Sequence, residues 1–315
     1  MSQRADFYRP GADADRIGHA LVAEAGRLAS RAGLQASDFA LTLLLHPADP
    51  ATEAPPLPTG FSYRGGVAFY PCSVVKLFLV VAAQLELHAG RLTPHDELDR
   101  AMRDMIRWSS NTGTNYVIDL LSGTTGDTLL EEAEMRDWVD ARNRINRFYA
   151  EFQPGLCADT NLAQKLMDDD RYGREKMFVQ WEGANNHNRL GSDAAAWLLA
   201  EVMCGDVLPP SSSERIAGFL HRPLTDDFVS IQAAQVNGYL GGGLPRDAQL
   251  WSKAGRTLWT GDPLASYRRH DAAHVKLPDG QRFTLAVFTQ GQAIAVDDAF
   301  LPRIGKLACE LVAAT

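Results

Sequence analysis

The sequence has few cysteines and lacks the segments that direct a chain to or across a membrane. Its four cysteines form no CxxC pair, and no histidines accompany them at the close spacing of a local metal site. No apolar run reaches the roughly 18 residues that a membrane-spanning helix needs. The first residues do not place an apolar stretch after a basic one, as a secretory signal would. These absences predict a cytoplasmic protein with reduced cysteines, no membrane association and no metal site.

A basic patch is also missing. The 315 residues include 31 Lys and Arg against 39 Asp and Glu, which gives a formal net charge of −8. An acidic chain without a Lys/Arg run is not typical of nucleic-acid-binding proteins, so we expect no nucleic-acid partner. Hydrophobic residues make up 45% of the chain, enough for a sizeable core.

The order of predicted elements indicates an α+β fold. Apolar residues at helical spacing predict helices over 14–31, 94–107, 111–121, 131–152, 192–208 and 296–313, and another that follows Ser73 and ends near Gly90. Strands are predicted over 38–46, 61–70 and 249–259, with a hairpin over 272–291 that turns at Asp-Gly. Residues 153–191 lack periodicity.

Strands at both ends of the chain and helices between them predict one antiparallel sheet covered by helices, an α/β/α sandwich. We expect a single domain over residues 1–315. Its sheet lobe would comprise about 15–70 and 213–315, and its helical lobe about 71–212.

A serine and a lysine open the apolar helix at "YPCSVVKLFLVV". Ser73 and Lys76 are three positions apart, so in a helix they share one face and the amine can reach the hydroxyl. A partly desolvated lysine has a lowered pKa and can accept the proton of a serine nucleophile. The alternative is a helix start beside a lysine whose amine reaches solvent. This spacing by itself is a weak signal.

The second polar cluster is "RWSSNTGTN", at the start of a predicted helix. The hydroxyl of Ser109 can relay a proton to a leaving nitrogen, and the amide of Asn111 can bind a substrate amide. The alternative is a helix N-cap with polar neighbours.

The third cluster is "WSKAGRT", on a predicted strand near the C-terminal end. Ala254 and Gly255 allow a substrate backbone to approach an edge strand closely. Lys253 supplies positive charge to an anionic group or to a proton relay. The alternative is an exposed lysine on a strand.

These three motifs, in this order and with these flanks, resemble those of the class A β-lactamase and penicillin-binding protein superfamily. The resemblance covers about residues 15–313 and implies a serine hydrolase without a metal or organic cofactor. By this resemblance, Ser73 is the nucleophile and Lys76 its base or proton shuttle. Ser109 is the relay, and Lys253 is the lysine of the third motif. Substrate contacts would come from Asn111, Gly255, Arg256 and Thr257, and the oxyanion hole from the N–H groups of Ser73 and of Thr257 or a near neighbour.

The sequence departs from the family pattern at several places. Ser110 stands where the family usually has Asp, and Ala254 where it has Thr or Ser to hold a substrate carboxylate. Arg256 or Arg269 would then supply the charge that binds an anionic substrate. Ser73 and Ser109 are only 36 positions apart, which predicts a trimmed helical lobe and a more open cleft.

The three motifs do not include the group that would release the acyl-enzyme. Class A enzymes activate water with a Glu on the Ω-loop, followed four positions later by an Asn. Glu182 and Asn186 have this spacing, and the alternative is an exposed loop carboxylate.

The sequence thus predicts an acyl-enzyme hydrolase of a small amide, lactam or ester. The alternatives are a non-hydrolytic penicillin-binding or sensor protein, and a cytoplasmic peptidase or esterase with little β-lactam turnover. The oligomeric state is not fixed by the sequence.

Overall fold

The computed structural model describes residues 7–47, 57–166 and 171–315. Its centre is a five-stranded sheet in the order β2-β1-β5-β4-β3. Every neighbouring pair is antiparallel. The strands are β1 (Phe39–His46), β2 (Thr59–Tyr63), β3 (Gln249–Thr257), β4 (Arg268–Lys276) and β5 (Arg282–Thr289). The predicted sheet built from both ends of the chain is confirmed, and β3 lies at one edge.

Both faces of the sheet are buried, because helices cover each of them. On β1, alternate side chains enter two different cores: Phe39, Leu41 and Leu43 enter one, and Ala40 and Leu44 the other. A strand that is covered on both faces has a nearly continuous apolar sequence, and such a run is the signal that predicted β1.

The helices lie on both sides of this sheet. In chain order they are α1 (Ala12–Arg31), α2 (Val75–His88), α3 (Asp96–Arg107), α4 (Asn111–Ser122), α5 (Glu132–Arg142), α6 (Arg144–Phe152), α7 (Pro154–Cys157), α8 (Gly173–Val179), α9 (Ser192–Cys204), α10 (Pro210–Leu220), α11 (Asp226–Val229), α12 (Gln292–Val296) and α13 (Phe300–Val312). Helices α1 and α13 cover one face, whereas α2 and α9 lie on the other. Among the described residues, no helix combines the length and apolarity that crossing a bilayer requires.

Several predicted boundaries were wrong for local reasons. The second strand ends at Tyr63, because Arg64 adopts a left-handed φ of 56° and starts the turn through Gly65 and Gly66. The helix predicted over 131–152 is two helices, which meet at Asn143.

Two further segments refine their predictions. The stretch over 153–191 contains α7, α8 and a 3₁₀ turn, too short to give a clear periodicity. The terminal helix predicted over 296–313 is α13, which begins four residues later, and the short α12 precedes it. Most of the Pro-rich loop predicted over 47–60 lies outside the described residues.

Candidate active site

Ser73 lies in a 3₁₀ turn, Cys72–Val74, that leads directly into α2. Residues 71–80 are all buried except Ser73, which is partly exposed. The turn rests against edge strand β3 at Gly255. A Cβ built on Gly255 would lie 2.5 Å from the backbone nitrogen of Ser73 and 2.8 Å from the Cβ of Cys72. Only glycine therefore allows the turn to lie this close to the strand, and the approach of a substrate backbone to Gly255 stays a prediction.

Lys76 is fully buried and connects α2 to the second motif. Its Nζ lies 2.5 Å from the backbone oxygen of Ser109, 3.2 Å from Ser109 Oγ and 2.8 Å from Asn111 Oδ1. A buried amine needs such partners, because desolvation is costly for an ammonium group without hydrogen bonds. The contacts bring the first and second motifs together.

Lys253 reaches the same hydroxyl from the opposite side. Its Nζ lies 3.1 Å from Ser109 Oγ, 2.8 Å from Gln235 Oε1 and 2.7 Å from the backbone oxygen of Ala254. Burial, and then the nearby charge of Lys76, hold the pKa of Lys253 well below its usual range. Two lysines from different motifs thus converge on one serine hydroxyl.

Two non-glycine residues of the site have strained backbones. Cys72, directly before Ser73, has a φ of 49°, and Ser109 has a φ of 58°. Residues held in this left-handed region cost free energy and occur often at functional sites. Burial raises the pKa of the Cys72 thiol to about 12, so this cysteine is a thiol rather than a thiolate nucleophile at neutral pH.

The sequence interpretation missed His270, which supports the turn that carries Ser73. On β4 it lies opposite Gly255. Its Nδ1 accepts the backbone N–H of Thr289 at 2.9 Å, so Nε2 carries the proton and donates it to the backbone oxygen of Tyr70 at 2.8 Å. Burial lowers the pKa of His270 to about 3, which keeps the ring neutral. Only the register of the hairpin reveals this position.

Two other supporting residues also escaped the sequence analysis. Asn115, one helical turn after Asn111, accepts the Leu166 N–H at 3.0 Å and donates to the Leu166 carbonyl at 2.8 Å. It thereby fixes the loop beside α4. Arg222 is buried and donates to the carbonyl of Ile106 at 2.7 Å, which holds the end of α3 just before the second motif. Their contacts span 51 and 116 positions, so no local pattern indicates them.

A cavity of about 430 Å³ opens beside Ser109, and two arginines and the carboxylate of Asp298 line part of it. Its lining includes Ser109, Gln235, Tyr239, Arg256 and Arg269. Arg269 is buried and paired with Asp298 at 2.6 Å, whereas no described carboxylate lies within ion-pair distance of the half-buried Arg256. Ala254, in the place of the family's hydroxyl residue, is buried in the hydrophobic core.

Glu182 lies apart from this cluster. It is exposed, in the 3₁₀ turn Trp181–Gly183, and its carboxylate is 3.4 Å from the equally exposed Arg136 of α5. Asn186, four positions on, donates its amide N–H to the carbonyl of Phe178 at 2.8 Å. Among the described contacts, neither residue touches Ser73, Lys76 or Ser109.

Comparison with known proteins gives one family and one fold. The model of the beta-lactamase enzyme family matches residues 97–312. No curated protein sequence matches the chain. A class A β-lactamase of the last common ancestor of Gram-negative bacteria is 18% identical with a TM-score of 0.60, over 92% of this chain and 98% of that one.

Two further solved structures have the same fold. PBP-A is 18% identical with a TM-score of 0.60, over 98% of each chain. A β-lactamase from Chitinophaga pinensis is 17% identical with a TM-score of 0.62, over 95% of this chain and 100% of that one. The expected α+β architecture with its helical lobe is that of these proteins.

Proposed function

Because this chain belongs to the beta-lactamase enzyme family, we propose that it is a hydrolase that forms an acyl-enzyme at Ser73 with a small amide, lactam or ester. The family membership supports β-lactamase-like hydrolysis of a small molecule. The observation that carries the assignment of residues is the convergence of Lys253 and of Lys76, three positions after Ser73, on the hydroxyl of Ser109. Chains of hydrogen-bonded amines and hydroxyls can move a proton without releasing it to solvent.

The proton route follows from which atoms can donate. The carbonyl oxygen of Ser109 and Asn111 Oδ1 only accept from Lys76, but Ser109 Oγ can also donate. In the proposed acylation step, Lys76 takes the Ser73 proton as Oγ attacks the substrate carbonyl. Lys76 then returns this proton to Ser109 Oγ, which gives its own proton to the leaving nitrogen or oxygen as that bond breaks. Lys253 stabilises the developing charge around Ser109.

The oxyanion formed during this attack needs two N–H donors. One is the N–H of Ser73, whose nitrogen lies close to β3 at Gly255. For the second, the strand alternation favours Arg256, the near neighbour of Thr257. The backbone oxygen of Leu250 accepts the N–H of Arg222 at 2.8 Å, on the edge of β3 that faces away from β4. Every second residue of a strand directs its backbone groups to the same edge, and Arg256 lies an even number of positions after Leu250. The N–H of Arg256 therefore points to this free edge. Such donors supply a large part of catalysis.

Arg256 also supports recognition of an anionic substrate. It lines the cavity beside Ser109. Arg269 forms an ion pair with Asp298, whereas Arg256 forms none with a described carboxylate. We propose that its guanidinium binds the substrate carboxylate, a role that Ala254 cannot perform without a hydroxyl. Asn111 and Gly255 would complete the substrate contacts.

Covalent labelling tests the nucleophile. Incubation with penicillin G, and separately with a fluorophosphonate, should add one adduct mass to the intact protein and none to Ser73→Ala. Peptide mapping should place the adduct on residue 73. The Cys72→Ala variant controls for the neighbouring thiol and should still be labelled. An unmodified wild-type mass with both probes would overturn the proposed function.

The exposure of Glu182 favours the loop-carboxylate alternative over a role in deacylation. A water-activating base must reach the acyl carbonyl, but Glu182 faces solvent beside Arg136. We therefore expect Glu182→Gln to leave the rate of adduct loss unchanged, as measured by intact mass after removal of free penicillin. A tenfold or greater slowing would instead identify Glu182 as the base.

The same exposure supports a second candidate, a penicillin-binding protein that releases its acyl group slowly. PBP-A shares this fold, and a structure of a single-residue mutant of PBP-A is an acyl-enzyme complex with penicillin G. Slow release predicts a long-lived adduct and little nitrocefin turnover. Rapid multiple turnover would favour a β-lactamase, and turnover of esters or peptides without nitrocefin hydrolysis would favour a peptidase or esterase.

A further inference from the structure

A second cluster of reactive side chains lies on the sheet, away from Ser73. His46 at the end of β1, His274 on β4 and Cys204 at the end of α9 each offer one ligand atom, and these three atoms lie within 4.8 Å of one another. Cys204 Sγ is 4.0 Å from His274 Nε2. Positions 46, 204 and 274 are too far apart in the sequence for any spacing rule to detect the cluster.

The sheet register explains why the two histidines meet. His274 lies opposite Thr284 of the central strand β5, and His46 lies opposite Arg282, two positions away. Side chains two positions apart project to the same face of a sheet, which here is the face covered by α9. The last turn of α9 brings Cys204 onto this pair.

Thr284 holds both imidazole rings in place. Its buried Oγ1 is 2.8 Å from His46 Nε2 and 2.9 Å from His274 Nδ1. Because Nδ1 of His274 is occupied by Thr284, its Nε2 is the nitrogen presented to the thiol of Cys204. A hydroxyl that orients a histidine in this way is a typical outer contact of a metal ligand.

Burial shifts the pKa of each of the three side chains. Burial, and then the charge of Arg282, lower the pKa of His46 to about 4. Burial and the neighbouring His46 hold the pKa of His274 well below its usual range. Burial raises the pKa of the Cys204 thiol to about 11, so a metal ion must displace its proton.

Two charged groups lie close to this cluster. Arg282 lowers the pKa values of both histidines and donates to the backbone oxygen of Pro47 at 2.9 Å, and its charge opposes a cation. Glu201, three positions before Cys204 on α9, brings a carboxyl group close enough to raise the Cys204 pKa, which partly offsets Arg282.

We propose that His46, Cys204 and His274 bind a thiophilic transition-metal ion, Zn²⁺ in the first instance, which clamps the end of α9 to the sheet. Zinc accepts this set of nitrogen and sulfur ligands, with water in the fourth position. Zn–N and Zn–S bonds of roughly 2.1 and 2.3 Å place neighbouring ligand atoms about 3.5 Å apart, so the side chains need to close by about 1 Å.

This site is structural and separate from the proposed catalysis. His270, which supports the turn carrying Ser73, lies four residues before His274 on β4, and at ~3.3 Å per residue the two are roughly 13 Å apart. The ion would therefore stabilise the fold without contacting the substrate, and the inference does not depend on the proposed function.

Metal binding by the full chain tests the proposal directly. Protein treated with a chelator and then dialysed should bind one equivalent of Zn²⁺ by calorimetry and unfold at a higher temperature once loaded. Co²⁺ as a probe should give the near-ultraviolet absorption of a cobalt–thiolate bond. Cys204→Ala should lose this absorption and weaken Zn²⁺ binding at least tenfold. The control is Cys309→Ala, which replaces a buried cysteine on the other face of the sheet and should keep the absorption and the Zn²⁺ affinity.

The outer contact provides a further test if the ligand variants fold poorly. Thr284→Val keeps the shape of the side chain but removes the hydroxyl between the rings, so Zn²⁺ affinity should fall roughly 10–100-fold with circular dichroism unchanged. The proposal is overturned if the wild-type chain binds no Zn²⁺, or if Cys204→Ala and Thr284→Val bind it as tightly as the wild type.

Discussion

At the scale of single residues, the two adjacent serines of the second motif have different tasks. Ser109, held at a positive φ, presents its hydroxyl to Lys76 and Lys253. Ser110 is the N-cap of α4 and accepts the N–H of Gly113 at 3.0 Å. The Ser at position 110 therefore performs a capping role that an Asp performs equally well, which explains why the departure from the family pattern leaves the helix start intact.

This pair provides a matched test of the proton relay. Ser109→Ala removes the hydroxyl between the two amines, and we expect the acylation rate to fall by about 10²–10⁴-fold. Ser110→Ala removes only the cap, so it should cost about 1 kcal/mol of unfolding free energy with a far smaller change in acylation. Stopped-flow acylation and chemical denaturation measure the two effects. Equal loss of acylation in both variants would contradict the relay.

At the scale of elements, a buried ion cluster ties α8 to α4 and α5. Arg142 of α5 is completely buried and contacts both oxygens of Glu175 on α8, at 2.8 and 3.0 Å. Asp119 of α4 lies 3.4 Å from Arg142 and 2.6 Å from Lys165. Two cations and two carboxylates balance in this cluster, so each buried charge is compensated.

Removing one charge from this cluster should be costly. Glu175→Gln leaves the buried Arg142 with less compensation, and we expect a loss on the order of 3 kcal/mol in the free energy of unfolding. The control is Asp140→Asn, which breaks the exposed pair with Arg147 and should cost under ~1 kcal/mol. Denaturation in urea measures the free energy of unfolding of both variants. Similar losses in the two would show that the buried cluster stabilises the fold no more than the exposed pair does.

At the scale of the whole molecule, stability and the proposed site are linked through β4, the strand that pairs with β3. Asp271 of β4 lies opposite Ala254, the residue between Lys253 and Gly255. Its carboxyl group accepts the N–H of Leu240 at 3.0 Å. Burial raises the pKa of Asp271 to about 7, although the charges of Lys253 and Arg222 act in the other direction. The folded state thus holds a proton here that the unfolded chain has already released above about pH 4.

This proton gives the unfolding free energy a defined pH dependence. Because the folded state binds more protons between about pH 4 and 7, the Asp271 contribution to stability falls as the pH rises through that window, by at most ~1.4 kcal/mol per pH unit. Asp271→Asn cannot titrate, so its stability relative to the wild type should improve from pH 4 to pH 7. Urea unfolding of both proteins at several pH values checks this, and a constant difference would refute it.

The sequence predicted strands near both ends of the chain and helices between them, because hydrophobic periodicity and turn residues are local properties. It placed β1, β3, the hairpin of β4 and β5, and most of the helices close to their observed bounds. It missed the division at Asn143 and the early end of β2, where a single backbone conformation overrides the pattern. The division into a sheet lobe and a helical lobe, with the boundaries given above, stays a prediction.

The sequence alone determined the family, because Ser73, Lys76, Ser109, Asn111, Lys253 and Gly255 occur as short motifs in a fixed order. Only the tertiary structure brought Lys76 and Lys253 to one hydroxyl, and only it separated Glu182 from them. It alone joined His46, Cys204 and His274. The physical reason is that strand register and helix docking bring together residues far apart in the chain, and no local spacing records such contacts.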